Sequence, residues 1–340
     1  MRVVKTVDAE GMILCHDITK IVPGEFKGVA YKKGQVVQAS DIEDLLRIGK
    51  DHLYVWECDD RHIHENEAAI RISRAVAGAN IGFSEPREGK VNLLANGPGL
   101  LKVNVEALCA INNIEQIVIA TRHTNCLVKQ GEVLAGTRVI PLIINQERVI
   151  QAENIGLQHP AIIEVKPLKP QKTAIITTGN EVFHGRIKDR FGPIIIDKLR
   201  DVGCSIAEHV LLPDDTELIS AKISELVNQG AEMVIVTGGM SVDPDDATPG
   251  AIKRTGADIV SYGAPLFPGA MFLLAYLQGI PIIGLPGCAM YNKTTVFDVV
   301  LPRILAGEEI SRHQLTRLGH GGLCLDCPDC RYPNCGFGKY

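Results

Sequence analysis

The stretch MVIVTGGMSVDPDDATPG, residues 233–250, decides the fold of the second half of the chain. Its first five residues, Met233–Thr237, are apolar or β-branched and predict a short buried strand. Glycines and aspartates follow at once, and Pro249 then begins a short helix that ends at Arg254. A buried strand that runs through a polar, glycine-rich loop into a helix is the repeating unit of an α/β domain.

The same unit recurs on both sides of this stretch. Strands are predicted at Thr173–Thr178, Ile206–Leu212 and Ile280–Leu285, and helices at Pro193–Val202, Thr216–Asn228 and Met290–Leu305. Short apolar strands that alternate with helices predict a doubly wound, mostly parallel sheet with right-handed crossovers.

The first half of the chain has a different pattern. Helices predicted at Asp41–Ile48 and Ala68–Ala77 lie among strand-like runs such as Leu53–Trp56 and Gln116–Ala120, which indicates a smaller α+β region. The proline-spaced stretch 166–172 is typical of a linker. The predicted organisation is therefore an α+β region at 1–165, the linker, an α/β domain at 173–307, and a cysteine-rich tail at 308–340.

Composition excludes several classes of protein. The chain has 340 residues, a net charge of −5 and a pI near 6.1, so it has no basic field for nucleic acid. No apolar leader follows Met1, and the uncharged stretch 259–292 is interrupted by prolines and glycines that favour buried strands over a membrane helix. Scattered cysteines fit a reducing compartment. A cytoplasmic protein without a membrane partner is expected.

The polar loops should meet at one edge of the predicted sheet. Ligands of such sheets bind beyond the carboxyl ends of the strands. The loops that follow the four strands begin at Thr178, Pro213, Gly238 and Pro286. For any single loop, solvated turn residues are the simpler interpretation, but four loops at matching strand ends favour a site. Neither a P-loop nor a G-x-G-x-x-G motif is present.

The chemistry of these loops suits a phosphorylated ligand. Gly238-Gly239 lets backbone N–H groups approach an anion, and the helix that begins near Thr248 would present its positive end. The nearby aspartates would repel that anion unless a cation intervenes, and Mg²⁺ binds through carboxylates together with substrate phosphates. A phosphorylated ligand with Mg²⁺ is therefore expected.

At these loops the sequence resembles the MogA/MoeA family of molybdenum-cofactor biosynthesis proteins. Thr178–Glu181 is similar to the family's T-G-[ND]-E loop, Gly238–Val242 to G-G-V-S-V, Asp246–Pro249 to D-x-T-P, and Leu285–Gly287 to L-P-G-[NS]-P. The similarity covers about residues 172–307. The first half resembles MoeA more weakly, around Val7–Ile18.

The resemblance implies a molybdopterin-binding protein that carries out Mg²⁺-dependent transfer, either adenylylation with ATP or insertion of molybdate with release of AMP. It also implies a homo-oligomer. The implied catalytic residues are Asp214, Asp215, Asp246 and Glu181, with Asp245 and Asp246 as Mg²⁺ ligands. The implied cofactor-binding residues are Thr178, Gly179, Asn180, Gly238, Gly239, Ser241, Thr248, Pro286, Gly287 and Cys288.

Departures from the family pattern leave other functions open. MoeA carries P-G-K-P where this chain has Pro268-Gly269-Ala270-Met271, which removes a lysine suited to an anion. That loss favours a non-catalytic molybdopterin carrier or chaperone that docks on, or sulfurates, a molybdoenzyme. A CinA-like nucleotide amidohydrolase is the third alternative.

The tail carries four closely spaced cysteines in the pattern C-x₂-C-x₂-C-x₄-C: Cys324, Cys327, Cys330 and Cys335. Thiolates this close cost little loop entropy to gather on one metal. The first three spacings resemble an iron–sulfur run, whereas zinc also accepts four thiolates. A persulfide-carrying tail that delivers sulfur is a further alternative.

Overall fold

The computed structural model describes residues 2–22, 26–55, 61–244 and 246–339. Asp245, an expected Mg²⁺ ligand, and Trp56, the end of a predicted strand, lie outside these ranges. The chain divides into two compact units. The first contains residues up to Asn96 with 104–122 and 131–164, and the second contains 97–103, 123–130 and 165–340. The second unit thus includes two short segments, 97–103 and 123–130, that precede the predicted linker at 166–172.

Within its described residues, the first half forms short strands and four α-helices. Its strands are β1 (Arg2–Lys5), β2 (Ile18–Val22), β3 (Phe26–Tyr31), β4 (His52–Val55), β5 (His62–His64), β6 (Ile81–Phe83), β7 (Lys90–Ala95), β8 (Gly99–Val103), β9 (Ile117–Thr121), β10 (Cys126–Val128), β11 (Val133–Val139), β12 (Ile143–Asn145) and β13 (Ile163–Lys166). Its helices are α1 (Ala39–Arg47), α2 (Glu65–Val76), α3 (Val105–Asn112) and α4 (Gln146–Gln158). The largest sheet has the order β6-β7-β11-β9.

His64 begins α2 from a buried position. Its Nδ1 accepts the N–H of Asn66 at 3.1 Å, and its Nε2 lies 3.0 Å from the carbonyl oxygen of Cys15. The first contact needs a free lone pair on Nδ1 and the second a proton on Nε2, so the ring is neutral. Burial, reinforced by the charge of Lys33, lowers the pKa of His64 to about 4.

The described residues of the second half form a six-stranded sheet, with helices between the first four of its strands in chain order. The strands are β14 (Lys172–Thr178), β15 (Ser205–Leu212), β16 (Met233–Thr237), β17 (Asp258–Tyr262), β18 (Leu273–Leu277) and β19 (Ile280–Leu285). The helices are α5 (Asn180–Phe183), α6 (Phe191–Asp201), α7 (Thr216–Asn228), α8 (Thr248–Arg254), α9 (Val296–Leu305) and α10 (Arg312–Thr316). Every residue of β16 is buried, as its apolar sequence predicts, whereas the edge strand β15 alternates between partly buried and exposed positions.

The described sheet is mixed: it has the expected parallel pairing over four strands, and antiparallel pairing over the remaining two. In the order β15-β14-β16-β19-β18-β17, the first four strands are parallel, β18 runs antiparallel to β19, and β17 runs antiparallel to β18. The tight turn at Gln278-Gly279 folds β18 directly back onto β19. The described fold is therefore mixed α/β.

Two apolar clusters lie against this sheet. One contains residues of α6 and α9, represented by Leu199 and Val300, together with Ile235 of β16. The other contains residues of α7, such as Ile223, and Val236 of β16. Adjacent residues of one strand point to opposite faces, so helices cover both faces of the central strand. No helix within the described ranges is long and apolar enough to cross a bilayer.

The helix predicted at Met290–Leu305 begins later. A short 3₁₀ turn covers Gly287–Met290, and α9 starts only after Thr295. Thr295 and Asp298 form a capping box, in which each side chain accepts a backbone N–H of the other. Because such a box satisfies N–H groups that the first turn leaves unpaired, it determines where the helix begins.

Candidate functional site

A cleft of about 1280 Å³ opens where the parallel strands end. We call it the strand-end cleft. All four of the predicted loops contribute to its wall. Eleven of the predicted site residues line it: Thr178, Gly179, Asn180, Glu181, Asp214, Gly238, Gly239, Ser241, Asp246, Pro286 and Gly287. The convergence of acidic and glycine-rich loops that the sequence suggested is thus present in the structure.

The Gly238-Gly239 pair lies against the end of β14. A Cβ atom on Gly238 would be 2.2 Å from the carbonyl oxygen of Thr178, and the φ of Gly238 is +91°. Both facts require glycine, because side chains neither fit that space nor favour that backbone conformation. The hydroxyl of Thr248 donates to the carbonyl oxygen of Gly238 at 2.8 Å and fixes the loop from the other side.

The segment after the glycines is held by a tyrosine from the antiparallel edge. The hydroxyl of Tyr262 donates to the carbonyl oxygen of Met240 at 2.9 Å and lies 3.3 Å from that of Ser241. Tyr262 belongs to β17, most of which lies in the stretch 259–292 where buried strands were expected but this strand was not delimited. An element absent from the predicted topology therefore positions the loop that carries Ser241.

The carboxylates in the cleft stabilise their own loops. Asp214 accepts the N–H of Asn180 at 2.9 Å and so joins the loops after β14 and β15. Asp246 accepts the N–H of Asp243 at 2.9 Å within the loop after β16. Each contact uses one carboxylate oxygen, and the other remains as an acceptor.

Three predicted site residues lie outside the lining of the cleft. Asp215 caps α7, and its Oδ1 accepts the N–H groups of Glu217 and Leu218. Thr248 is fully buried and commits its hydroxyl to the glycine loop. Cys288 is half-buried in the turn after β19, where burial raises the pKa of its thiol. Asp215 and Thr248 satisfy backbone groups and so act on the loops, whereas the thiol of Cys288 is withdrawn into its turn.

One wall of the cleft was not predicted. It is formed by Ile187, Lys188, Asp189 and Arg190, from the segment between α5 and α6, and by Phe191, the first residue of α6. Lys188 and Arg190 supply positive charge to a cleft whose predicted residues are acidic or neutral. The alternation of basic residues in HGRIKDR, 184–190, directly after the first strand-end loop, was the signal that could have identified this wall.

Asp189 ties this wall to the sheet. It accepts the N–H of Phe191 at 2.8 Å, and its Oδ2 lies 3.2 Å from Nε2 of His209 and from the hydroxyl of Thr177. The carboxylate thereby connects the start of α6 with β14 and β15. Because Asp189 is held in this way, the backbone of its neighbours Lys188 and Arg190, which line the cleft, is positioned as well.

Preassembled metal ligands are not found in the described part of the chain. There, no three side chains of His, Cys, Asp or Glu are grouped so as to hold one metal ion.

A second cavity, of about 400 Å³, lies beside the strand-end cleft. We call it the thiol cavity. All four tail cysteines line it, together with Lys293, Thr294 and aromatic residues of the tail. Tyr291 lines both cavities. The tail thus places its four cysteines around a single cavity next to the strand-end cleft.

Residues 174–306 match the family model described as a probable molybdopterin binding domain. This segment is a domain of the MogA/MoeA type. The match covers all four loops of the strand-end cleft. A second match, over residues 3–57, is to a domain of unknown function.

Relatives of the MogA/MoeA-type domain include a molybdenumtransferase and a CinA-like protein. A molybdopterin molybdenumtransferase of Synechococcus elongatus is 27% identical over 192 residues, which is 53% of this chain and 45% of that protein. A CinA-like protein of Mycobacterium sp. (strain JLS) is 34% identical over 83 residues, 24% of this chain and 20% of that protein. The chain thus spans less than half the length of these relatives.

Solved structures similar to this chain carry related titles. A molybdopterin biosynthesis MoeA protein from Pyrococcus horikoshii is 16% identical and matches 72% of this chain and 79% of that one, with a TM-score of 0.34. A MoaB described as a tungsten cofactor synthesising protein, from Pyrococcus furiosus, is 20% identical and matches 42% of this chain and 98% of that one, with a TM-score of 0.34.

Proposed function

We propose that the chain binds molybdopterin in the strand-end cleft and carries out Mg²⁺-dependent transfer there, either adenylylation or insertion of molybdate. The observation that carries the proposal is that the four strand-end loops of a MogA/MoeA-type domain line a single cleft. The 27% identity to a molybdopterin molybdenumtransferase supports transfer chemistry.

The terminal phosphate of the pterin would lie at the Gly238-Gly239 loop. There the backbone approaches without side-chain obstruction, and Ser241 adds a hydroxyl donor. Lys188 and Arg190 line the same cleft and would offset the charge of the phosphate. Their presence compensates for the lysine that the Pro268–Met271 loop lacks.

Asp214 and Asp246 are the residues that would hold Mg²⁺. Each uses one carboxylate oxygen for a backbone N–H and keeps the other for a cation. Two carboxylates with substrate phosphate match the way in which Mg²⁺ is bound in phosphoryl-transfer sites. Bound there, the ion would neutralise and orient the phosphoryl group.

Titration of the purified full-length chain with molybdopterin tests this site. We expect Asp246→Ala to weaken binding by about 10-fold to 100-fold, since it removes the charged acceptor of the backbone hydrogen bond that holds the loop after β16, a contact worth about 1.5–3 kcal/mol. Asp258→Ala is the matched control, because Asp258 is an exposed carboxylate that does not line the cleft. Unchanged affinity and unchanged release of AMP or pyrophosphate in Asp246→Ala would remove the site assignment.

A second candidate function is that of a molybdopterin carrier which docks on, or sulfurates, a molybdoenzyme. The observation in its favour is the replacement of P-G-K-P by Pro268-Gly269-Ala270-Met271, which puts the apolar Met271 in the lining of the cleft. A carrier would bind molybdopterin without releasing AMP or pyrophosphate. The same titration, combined with product analysis, therefore separates the two functions.

We also propose that the tail cysteines bind metal, as an iron–sulfur cluster or as zinc. The support is the chemistry of the donor set, since four free thiols line one cavity. This role belongs to the thiol cavity and is independent of catalysis in the strand-end cleft.

A further inference from the structure

The cysteine tail is a folded loop that is closed at its base. The N–H of Gly338 donates to the carbonyl oxygen of Gly321 at 2.9 Å, so the ends of the loop meet. A Cβ on Gly338 would be 2.6 Å from Val299 of α9, which shows how closely the base of the loop packs on the domain. The loop between these glycines contains all four tail cysteines.

Three anchors hold the loop against the domain. Phe337 is 5% exposed within the core cluster of α6 and α9. The hydroxyl of Tyr332 donates to the carbonyl oxygen of Asp298 in α9 at 3.1 Å. At the other end, Cys324 donates its N–H to the carbonyl oxygen of Phe267 at 2.8 Å. A disordered tail would have none of these contacts, so the position of the thiols is built into the fold.

The thiols surround a space and do not converge on a point. All four are free and line the thiol cavity of about 400 Å³. Yet within the described residues no three of them are grouped closely enough to share one ion. A tetrahedral zinc site, with Zn–S bonds of about 2.3 Å, needs its sulfurs about 4 Å apart. An iron–sulfur cluster instead places its thiolates around the outside of a larger inorganic core.

We propose that the thiol cavity holds an iron–sulfur cluster with four thiolate ligands: Cys324, Cys327, Cys330 and Cys335. This inference rests on the proposed metal-binding role of the tail and decides between its two forms. Two basic residues, Lys293 and Arg331, and one acidic residue, Asp326, line the same cavity, and the net positive charge of these three offsets part of the charge of a thiolate-ligated cluster. The cluster would then lie next to the strand-end cleft, with Tyr291 between the two.

Anaerobic reconstitution of the full-length chain tests the proposal. The protein is reduced, incubated with ferric iron and inorganic sulfide in the presence of a thiol reductant, desalted, and analysed for iron, labile sulfide and zinc. We expect iron and sulfide in equal amounts, visible sulfide-to-iron charge-transfer absorption, and an electron paramagnetic resonance signal after reduction by dithionite. Uptake of zinc in preference to iron would overturn the cluster and leave the metal-binding role standing, whereas uptake of neither would overturn both.

Single cysteine variants locate the site. Cys327 and Cys330 are exposed, so replacing either by serine should leave the fold intact while lowering the iron content several-fold. Cys109→Ser is the matched control, because Cys109 is also an exposed free thiol but lies in α3. Equal iron content in Cys330→Ser, Cys327→Ser and Cys109→Ser would refute the assignment. Molybdopterin binding by the same samples reports separately on the strand-end cleft.

Discussion

Replacing Gly238 by alanine should damage the strand-end cleft far more than an ordinary glycine substitution does. Two effects act together at this position. The φ of +91° costs an L-residue about 1–2 kcal/mol. In addition, the new Cβ would lie 2.2 Å from the carbonyl oxygen of Thr178, and such overpacking costs about 1–3 kcal/mol. The expected loss in the free energy of unfolding is therefore about 2–5 kcal/mol.

Gly230→Ala separates the two effects. Gly230 follows α7 in the same unit, has a φ of +85°, and would place its Cβ in open space. This variant should lose only the backbone part, about 1–2 kcal/mol. The difference between the two variants measures the close approach of the glycine loop to β14.

Urea unfolding followed by far-UV circular dichroism gives the stabilities, and a molybdopterin titration gives the affinities. To relieve the contact, the glycine loop must move by about 1 Å, and a shift of that size at a reactive site costs up to about 100-fold in rate. Gly230→Ala should bind and turn over molybdopterin as the unmodified chain does. If Gly238→Ala loses no more stability than Gly230→Ala, the close packing described for this loop is wrong.

Three further predictions concern residues that act through the backbone. Tyr262→Phe removes the donor to the carbonyl oxygen of Met240 and should weaken molybdopterin binding while costing about 1 kcal/mol of stability, as measured by titration and urea unfolding. Asp215→Ala removes the cap of α7 and should cost about 1 kcal/mol while leaving affinity unchanged; a large loss of affinity would restore Asp215 to the site. His64 is neutral in the folded chain, with a pKa near 4 against 6.5 for the free side chain, so the unfolded chain binds the extra proton between these values. Stability should therefore fall by up to about 3 kcal/mol from pH 6.5 towards pH 4 and be flat above pH 6.5, and His64→Asn should remove this part of the slope.

The sequence predicted the strand-end loops because two independent patterns coincide there. Buried strands such as Met233–Thr237 consist of apolar residues, and the polar residues that follow mark the strand ends to within a residue. Ligands of such sheets bind beyond the carboxyl ends of the strands, so these loops are expected to meet at one site without any knowledge of side-chain contacts. The order of the strands was harder to predict from the sequence. After Asp258, β17 and β18 lie in an uncharged stretch, and there a hairpin and a parallel crossover would have similar patterns of apolar residues.

The roles of individual carboxylates were not predictable from composition. Asp214 and Asp215 are neighbours in the sequence, yet the first lines the cleft and the second caps α7. Both were expected to act in the site because the family resemblance assigned roles by motif, although α7 begins at Thr216 as predicted and an aspartate directly before a helix start favours a capping role. For the same reason Thr248 was expected to contact a ligand, whereas its hydroxyl is used inside the glycine loop.

The positive charges of the wall 187–191 weaken the electrostatic reason for expecting Mg²⁺. From the sequence, Mg²⁺ was required because several aspartates faced a phosphate with no cation nearby. In the structure Lys188 and Arg190 line the same cleft, and Asp214 and Asp246 each accept a backbone N–H that stabilises the carboxylate charge without a metal. Under the proposed function, anion binding therefore does not depend on the ion. The role left to Mg²⁺ is the transfer step, where charge on the reacting phosphoryl group must be neutralised at a point that flexible lysine and arginine side chains do not fix.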